Sequence, residues 1–591
     1  MPSILSDALY INLITRISIS LRRKGISLRH VIFALAFSVS LWTLYYAYRR
    51  RTTVSFPEEA VYYPPEPPEI WAERAVQVKK AFLHAYHGYE RYAAPWDELK
   101  PVTHGKVNNF NGWGVTAIDS LDTMLMMGLK DEYQRALSIV QQSNFSLPEN
   151  TAVPFFETVI RYLGGLLSAY AMSKDNILRT RADELGSILA PAFNTSSVDV
   201  GGSIGILAEI ASFQMEYTYL GKITGKKEHV DRATKVTRLF SQADLRAFGG
   251  MYPTRWNLTS GSWADGHLSV GAAADSAHEY TLKQYLLTAQ TDKANLEMYL
   301  RATTHIINDL LFISPERQLL YVTDTHTNGN SSRPSHLFEH LSCFFPGLLA
   351  LGAHTLPLDQ LDILGIDLND LGSNLFPGAR KGYAAASSYN LKDLHLWAAE
   401  GLAQTCWLTY ADQPSGLGPD VVLMQSGGRS WMEAMGSWKR WGSKGPPPGV
   451  GHKLPWSDDA IRPHSQSKTK DYLVKTATYY LRPETIESFY ILWRVTGDVR
   501  WRHHGWAVFQ AIEREAKTDS GYANVDKVMG SPAQQLDSMP SYFLAETLKY
   551  LYLLFIDEDI VPLEKWVFNT EAHPLPIFEW SQREREAYGI L

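Results

Sequence analysis

Along most of the chain apolar residues recur at intervals of three and four, the repeat that gathers them on one face of a helix, and long alternating runs are few. The pattern predicts helices over 75–92, 116–127, 156–172, 206–220, 273–289, 391–410, 483–495 and 542–555. Two helices close on Thr-Gly, at Gly225 and Gly497, with glycine at the left-handed position that ends a helix. Pro483 opens another, where a missing N–H does no harm. Helical units return roughly every 50 residues, which predicts stacked helical hairpins closing into a ring.

The N-terminal segment and an internal stretch depart from this pattern. Val31 to Tyr48 is 18 residues without a charge, just enough to cross roughly 30 Å of hydrocarbon as a helix. Arg16, Arg22, Arg23, Lys24 and Arg29 precede it, whereas Arg49, Arg50 and Arg51 are followed by Glu58 and Glu59. The bias predicts a cytoplasmic tail over 1–30, a signal anchor over 31–48 and everything beyond it in a lumen. So short a span suits the thinner membranes of the endoplasmic reticulum or Golgi. Residues 49–70, rich in Pro and Glu, read as an extended stem, and 71–591 as the globular domain. Within it, Gly, Pro, Ser and Lys interrupt all periodicity over 426–470, the mark of a long insertion. Its Trp431, Trp438, Trp441 and Trp456 are placed to rim a cleft or to pin the loop down.

Composition narrows the class. With 45% apolar and 20% charged residues the chain is globular, and a net charge of -6 gives no electrostatic ground for nucleic acid. Its 17 Trp and 31 Tyr supply flat faces that pack in cores and against sugars alike. Asn144, Asn194, Asn257 and Asn330 begin glycosylation sequons, in keeping with a luminal domain. The only cysteines, Cys343 and Cys406, admit one disulfide in an oxidising compartment or two buried thiols.

The candidate chemistry lies in carboxylates set where a core is expected. Glu546 interrupts an apolar run, and a lone buried carboxylate is costly unless paired. The run leads to Asn569-Thr-Glu-Ala-His573, a knot of hard oxygen donors of the kind calcium prefers. Glu157 and Arg161 share a face of an otherwise apolar helix. Glu484 and Glu487 crowd one first turn. Asp275 with Glu279, and Asp119 with Asp122, make two further acidic pairs. On apolar helices of a ring, these predict a central acidic pocket. Such a pocket suits glycoside hydrolysis, in which one carboxyl protonates the leaving oxygen while another activates water or attacks carbon. A competing motif, His336-Leu-Phe-Glu-His340, matches H-x-x-E-H, a zinc-peptidase pattern.

From about Trp71 to Pro574 the chain resembles glycoside hydrolase family 47, the class I α-1,2-mannosidases that trim high-mannose N-glycans in the endoplasmic reticulum and Golgi. The resemblance rests on eight ordered blocks: Gly114–Thr123, Phe156–Gly165, Asp275–Tyr280, His340–Gly347, Gly416–Pro419, Leu481–Ser488, Glu546–Phe555 and Asn569–Pro574. It implies an all-α (α/α)7 barrel, an inverting exo-hydrolase and a calcium ion, Ca2+, at the barrel floor. Glu157 matches the general acid, acting through a water, Glu484 the general base and Asp275 a further catalytic carboxylate. Thr570 matches the direct calcium ligand, and Glu487, Glu546 and Glu571 match carboxylates that hold the ion's waters. Arg161, Glu279, His340, Arg482 and Tyr542 match pocket residues that contact substrate, and Cys343 and Cys406 occupy disulfide positions. The implied partner is the high-mannose N-glycan of glycoproteins, met by a single-pass type II membrane protein acting as a monomer.

Departures from the family pattern are equally specific. Ala277 and His278 stand where two aromatic residues are usual, Met539-Pro-Ser-Tyr542 where Met-Glu-Ser-Phe is usual, and Asp420 for Glu. Ala273 stands where an arginine marks the endoplasmic-reticulum enzymes that remove a single mannose, so a broader, Golgi-like specificity is expected. A second reading, favoured by these departures, is a mannosidase-like lectin that binds trimmed glycans with little hydrolysis.

Overall fold

The periodicity of the sequence is realised as pairs of helices. The computed structural model describes residues 63, 66–146, 151–193, 204–328, 331–456 and 469–590. The proposed anchor over 31–48, the tail before it, most of the stem, Asn194 and Asn330 lie outside the described residues. No helix among the described residues is long and apolar enough to cross a membrane.

Seven helices meet in succession: Leu121–Met126, Gly164–Ser173, Gln214–Thr224, Asp275–Leu287, Phe345–Thr355, Glu484–Thr496 and Leu548–Phe555. Each touches the next, and the turn Phe543–Thr547 that leads into the last returns to the first, closing a ring. These helices are buried on nearly every side; all residues from Phe345 to Ala353 are buried, for example, as an inner layer requires. Six of them run into a partner that packs outside: Lys130–Gln142, Asn176–Ile188, Lys227–Ser241, Lys293–His305, Leu391–Ala411 and Arg500–Glu515. These partners show one apolar stripe; Lys130–Gln142 buries Tyr133, Ala136, Leu137 and Val140 and leaves its charges in water. The seventh inner helix packs against Pro68–Tyr92, so the two ends of the domain complete the outer layer together.

The expected glycine stops hold, with φ of 72° at Gly225 and 69° at Gly497. Cys343 and Cys406 form a disulfide that ties the turn Leu341–Phe344 to helix Leu391–Ala411. The 426–470 stretch is not wholly irregular, because Trp431–Arg440 is a helix. Trp431 is fully buried with its indole N–H donating to the Pro448 carbonyl at 2.8 Å, and Trp438 packs edge-on against Trp397 at 5.6 Å. None of its four tryptophans lines the pocket described below, so among the described residues Trp431 and Trp438 pin the insertion to the ring. Short antiparallel strands fill the connections; the sheet Leu337–Glu339, Val421–Met424, Tyr472–Thr476 leads into His340 on one strand and follows Asp420 on the next.

Candidate active site

The ring encloses a cavity of about 330 Å³ lined by Glu157, Arg161, Glu209, Asp275, Glu279, Arg482, Glu484, Glu487, Tyr542, Glu546, Thr570 and Glu571, among others. Local structure sets each of them. Asp275 and Glu484 are the first residues of their inner helices, where the helix dipole favours negative charge. Arg161 and Glu546 lie on π-helical turns, Thr158–Leu163 and Phe543–Thr547, wide turns that often mark functional sites. Thr570 and Glu571 sit on a turn that Asn569 holds by accepting at Oδ1 from the N–H of Glu571 at 2.9 Å and of His573 at 2.8 Å. Asn569 is itself anchored through Nδ2, which donates to Glu216 at 2.7 Å.

Acidic groups outnumber cations along this wall, and their partners divide them. Arg161 donates to Glu157 at 2.7 Å through Nε and pairs with Glu571 through Nη1. Burial works against the charge on Arg161, yet Glu157, Glu571 and Asp119 outweigh it and raise its pKa well above the usual value. Lys283 pairs with Glu279 and lies 3.5 Å from Glu487. Glu546 has no hydrogen bond or ion pair from its carboxylate to any described residue, although it is only 6% exposed. Burial, then repulsion from Glu571 and Glu484, drives it well above the carboxylate range. Burial likewise lifts Glu487 and Glu571 to about 8.

Asp275 and Glu484 are pushed apart. Burial, with repulsion from Glu279 and Glu484, raises Asp275 to about 7. Burial also acts on Glu484, but a 2.7 Å contact with Nδ1 of His340 and the charge of Arg482 outweigh it, so Glu484 falls below its ordinary value. Two carboxyls of opposed protonation facing one cavity are the arrangement that acid–base chemistry needs.

Not every expectation holds. Asp119 and Asp122 do not line the cavity. They are fully buried against His573, at 3.0 and 2.8 Å, and Asp122 also meets Lys549 at 2.9 Å. His340 does not line it either and stands behind Glu484. His336 and His340 share no helix, because Leu337–Glu339 is a strand. Extended chain separates them by roughly 13 Å, and His336 faces the Tyr321 hydroxyl at 2.8 Å, so the zinc-peptidase reading fails. Among the described residues no group of three or more His, Cys, Asp or Glu converges as a metal cluster.

The departures from the family pattern divide: Ala273 and Tyr542 line the cavity, whereas the others serve packing and support. Ala277 and His278 are buried away from the cavity, and His278 contacts the Ser269 carbonyl at 3.1 Å. The hydroxyl of Tyr542 donates to the Tyr480 carbonyl at 2.7 Å, with Arg161 over its ring at 5.6 Å. Asp420 accepts from Arg482 at 3.0 Å. Asn144 is exposed on a turn and Asn257 is half-buried at a strand end. Sequence reasoning missed Glu209, which lines the cavity from helix Leu207–Ile210, and Lys283, although its spacing of four from Glu279 was a visible signal.

A ring of paired helices around a pocket of opposed carboxyls suits a glycoside hydrolase. Comparison with known proteins agrees. The Glycosyl hydrolase family 47 model matches residues 81–577, and the chain belongs to that family. It is 32% identical over 527 residues to mannosyl-oligosaccharide alpha-1,2-mannosidase IA of Drosophila melanogaster, covering 85% of this chain and 67% of that protein. Over 539 residues it is 33% identical to the endoplasmic reticulum mannosyl-oligosaccharide 1,2-alpha-mannosidase of Rattus norvegicus, covering 88% and 69%. The solved structure of alpha-1,2-mannosidase from Trichoderma reesei is similar over 86% of this chain and 99% of its own, with a TM-score of 0.68 and 29% identity.

Proposed function

We propose that this chain hydrolyses terminal α-1,2-linked mannose from high-mannose N-glycans of glycoproteins, with inversion and in dependence on Ca2+. The ring is read as an (α/α)7 barrel. The observation that carries the proposal is the cavity in which Glu157, Asp275 and Glu484 face the Thr570–Glu571 turn. Glu484, held ionised by His340 and Arg482, is the general base that takes a proton from water. Glu157, with its side chain 33% exposed at the cavity wall, is the general acid acting through a water. Asp275 is the further catalytic carboxyl, and burial lifts it to about 7, so it holds a proton near neutrality. That observation favours a second assignment of the acid, to Asp275. Arg161, Glu279, Arg482 and Tyr542 orient the sugar, and inversion leaves room for water between carboxyls roughly 6.5–9.5 Å apart.

The donor set fits a calcium ion. Among the described residues Glu546 has no partner for its carboxylate, and burial lifts Glu487 and Glu571 to about 8 despite Lys283 and Arg161 beside them, so a further cation would favour their ionised forms. Thr570 would hold the ion directly, with Glu487, Glu546 and Glu571 holding its waters. Bound there, calcium supplies a positive centre for adjacent sugar hydroxyls.

The remaining proposals concern topology: a tail over 1–30, an anchor over 31–48, a stem over 49–70 and a luminal, monomeric domain glycosylated at Asn144, Asn194, Asn257 and Asn330. Residence is in the endoplasmic reticulum or Golgi, and the name of the rat relative supports the former. The full chain is incubated with a high-mannose glycan, with and without EDTA, and Ca2+ or Zn2+ is then restored. Mannose release restored by Ca2+ is expected; binding without release at any Ca2+ concentration would establish the lectin reading instead.

A further inference from the structure

Glu484 is backed by a relay. On one side of the buried His340 ring, Nδ1 lies 2.7 Å from Oε2 of Glu484; on the other, Nε2 lies 2.5 Å from the hydroxyl of Tyr410. Tyr410 is fully buried in the last turn of helix Leu391–Ala411 and does not line the cavity. Its ring is fixed: a Cβ on Gly418 would stand 2.4 Å from Cε2, and Tyr479 packs edge-on at 5.9 Å.

With the His340 ring neutral, the chemistry of the three groups selects one proton arrangement. A carboxylate accepts, and a neutral imidazole has one donor and one acceptor nitrogen. Burial raises the Tyr410 pKa, so the phenol keeps its proton and can donate. Both contacts are then hydrogen bonds when Nδ1–H donates to Glu484 and Nε2 accepts from Tyr410. The other neutral tautomer would set a lone pair of Nδ1 against the carboxylate.

The supports converge on the same three residues. His340 is three residues before Cys343, and Tyr410 is four residues, about one turn, after Cys406, so the disulfide joins the two segments beside the relay. Ser488, one turn beyond Glu484, donates to the Cys343 carbonyl at 2.5 Å and accepts from the Gly347 N–H at 2.8 Å.

We propose that Tyr410 is a positioning residue for the general base, its hydroxyl fixing His340 as the Nδ1–H tautomer that aims and holds Glu484. The inference rests on the reading of Glu484 as the base. Without the hydroxyl, Nε2 keeps only a 3.4 Å contact with Thr485, and Glu484 alone is left to favour the tautomer from the Nδ1 side.

The test uses the full chain, its Tyr410→Phe variant and, as a control, Tyr299→Phe, which removes another buried hydroxyl, one with no hydrogen-bond partner among the described residues. Loss of one neutral hydrogen bond should lower kcat about five- to tenfold in Tyr410→Phe, with KM within about twofold because the residue does not meet the pocket. Tyr299→Phe should retain wild-type kcat. Selective 15N-histidine labelling, with His340→Gln to assign the signal, should show Nδ1 protonated in the wild type and a larger Nε2-protonated share in Tyr410→Phe. A wild type protonated at Nε2, or a Tyr410→Phe variant with unchanged kcat and tautomer, would overturn the proposal. So would a fall in kcat with the tautomer unchanged, which means packing alone. The tautomer is read without substrate, so a chain that releases no mannose defeats the function proposed above, and an unmoved tautomer defeats this inference.

Discussion

Asp122→Asn should destabilise the protein from beneath the pocket. Asp122 is fully buried, 2.9 Å from Lys549 and 2.8 Å from His573, while His573 reaches Asp119 at 3.0 Å on its other side. With His573 protonated, Asp122 and Asp119 offset Lys549 and His573; removing Asp122 leaves both cations with Asp119 alone, which Arg161 also approaches at 3.8 Å. Breaking a buried pair in this way costs about 3–5 kcal/mol. The compact unit Tyr62–Leu591 has an unfolding entropy of about 1.1 kcal/mol/K at roughly 2.1 cal/mol/K per residue. The expected fall in Tm is therefore about 3–5 °C by scanning calorimetry. Dependence on pH supplies the sharper test. Burial acts to lower the His573 pKa, but Asp122 and then Asp119 raise it to about 9, above the ordinary 6.5. A raised folded value means that this stability is fully present below about 6.5 and fades as pH rises through about 9. The displacement corresponds to about 3 kcal/mol. Wild type should lose about 3 °C over that window through His573, and Asp122→Asn should lose much less. A Tm drop under about 1 °C, or parallel pH slopes, would refute the account.

Other predictions concern the pocket and its supports. Glu157→Gln and Glu484→Gln should each lower kcat by about 10²–10⁴-fold with Tm within a few degrees of wild type; normal turnover in either variant removes the role assigned to that residue. Protons should compete with calcium for Glu487 and Glu571, which burial lifts to about 8, so the rise in Tm on adding Ca2+ should shrink as pH falls below about 8, and equal rises at pH 6 and 8 would defeat that reading. In EDTA the same two groups, raised above their unfolded 4.5, should make the protein lose stability as pH climbs from about 4.5 through 8, a loss that Ca2+ reverses. Replacing Cys343 and Cys406 together by serine opens a loop of sequence separation 63, worth about 4 kcal/mol by loop entropy, and should lower Tm by about 4 °C.

The helical hairpins were legible because an inner helix must be apolar nearly all round and an outer one on a single stripe, and both patterns are written in residue spacing. Local breaks were not. The expected 116–127 helix divides at Ser120, whose hydroxyl donates to the Thr116 carbonyl at 2.6 Å, a bond that competes with helical geometry. The 206–220 helix divides at Ala211 and resumes at Gln214. Strands of five residues or fewer are too short to register as alternation. This is why His336 and His340 read as helical neighbours when a strand lies between them. The acids of the site announced themselves as charges inside apolar runs, but the same signal marked Asp119 and Asp122, which serve a buried ion cluster. Sequence shows that such a charge needs a partner; only the fold shows whether that partner is Lys549, a histidine or a bound ion.

The backbone around the chemistry also defied local preference, and its strain has visible restraints. Ala273, Leu481 and Ala572 hold φ of 73°, 59° and 58° without being glycine, a left-handed conformation that costs roughly 1–2 kcal/mol at each. They immediately flank or nearly adjoin Asp275, Arg482 and Glu571. In every case another segment captures the strained residue's carbonyl: the Ala208 N–H donates to Ala273 at 3.0 Å, the Thr547 hydroxyl to Leu481 at 2.6 Å and the Lys549 ammonium to Ala572 at 2.6 Å. Thr547 and Lys549 both come from the segment that carries Glu546, and Lys549 also holds Asp122 in the buried cluster. The closing wall of the ring thus contributes a carboxylate to the cavity while fixing the backbone beside Arg482 and Glu571. The strain at Leu481 and Ala572 is restrained from the closing segment, which ties the geometry beside Arg482 and Glu571 to completion of the ring rather than to any one helix.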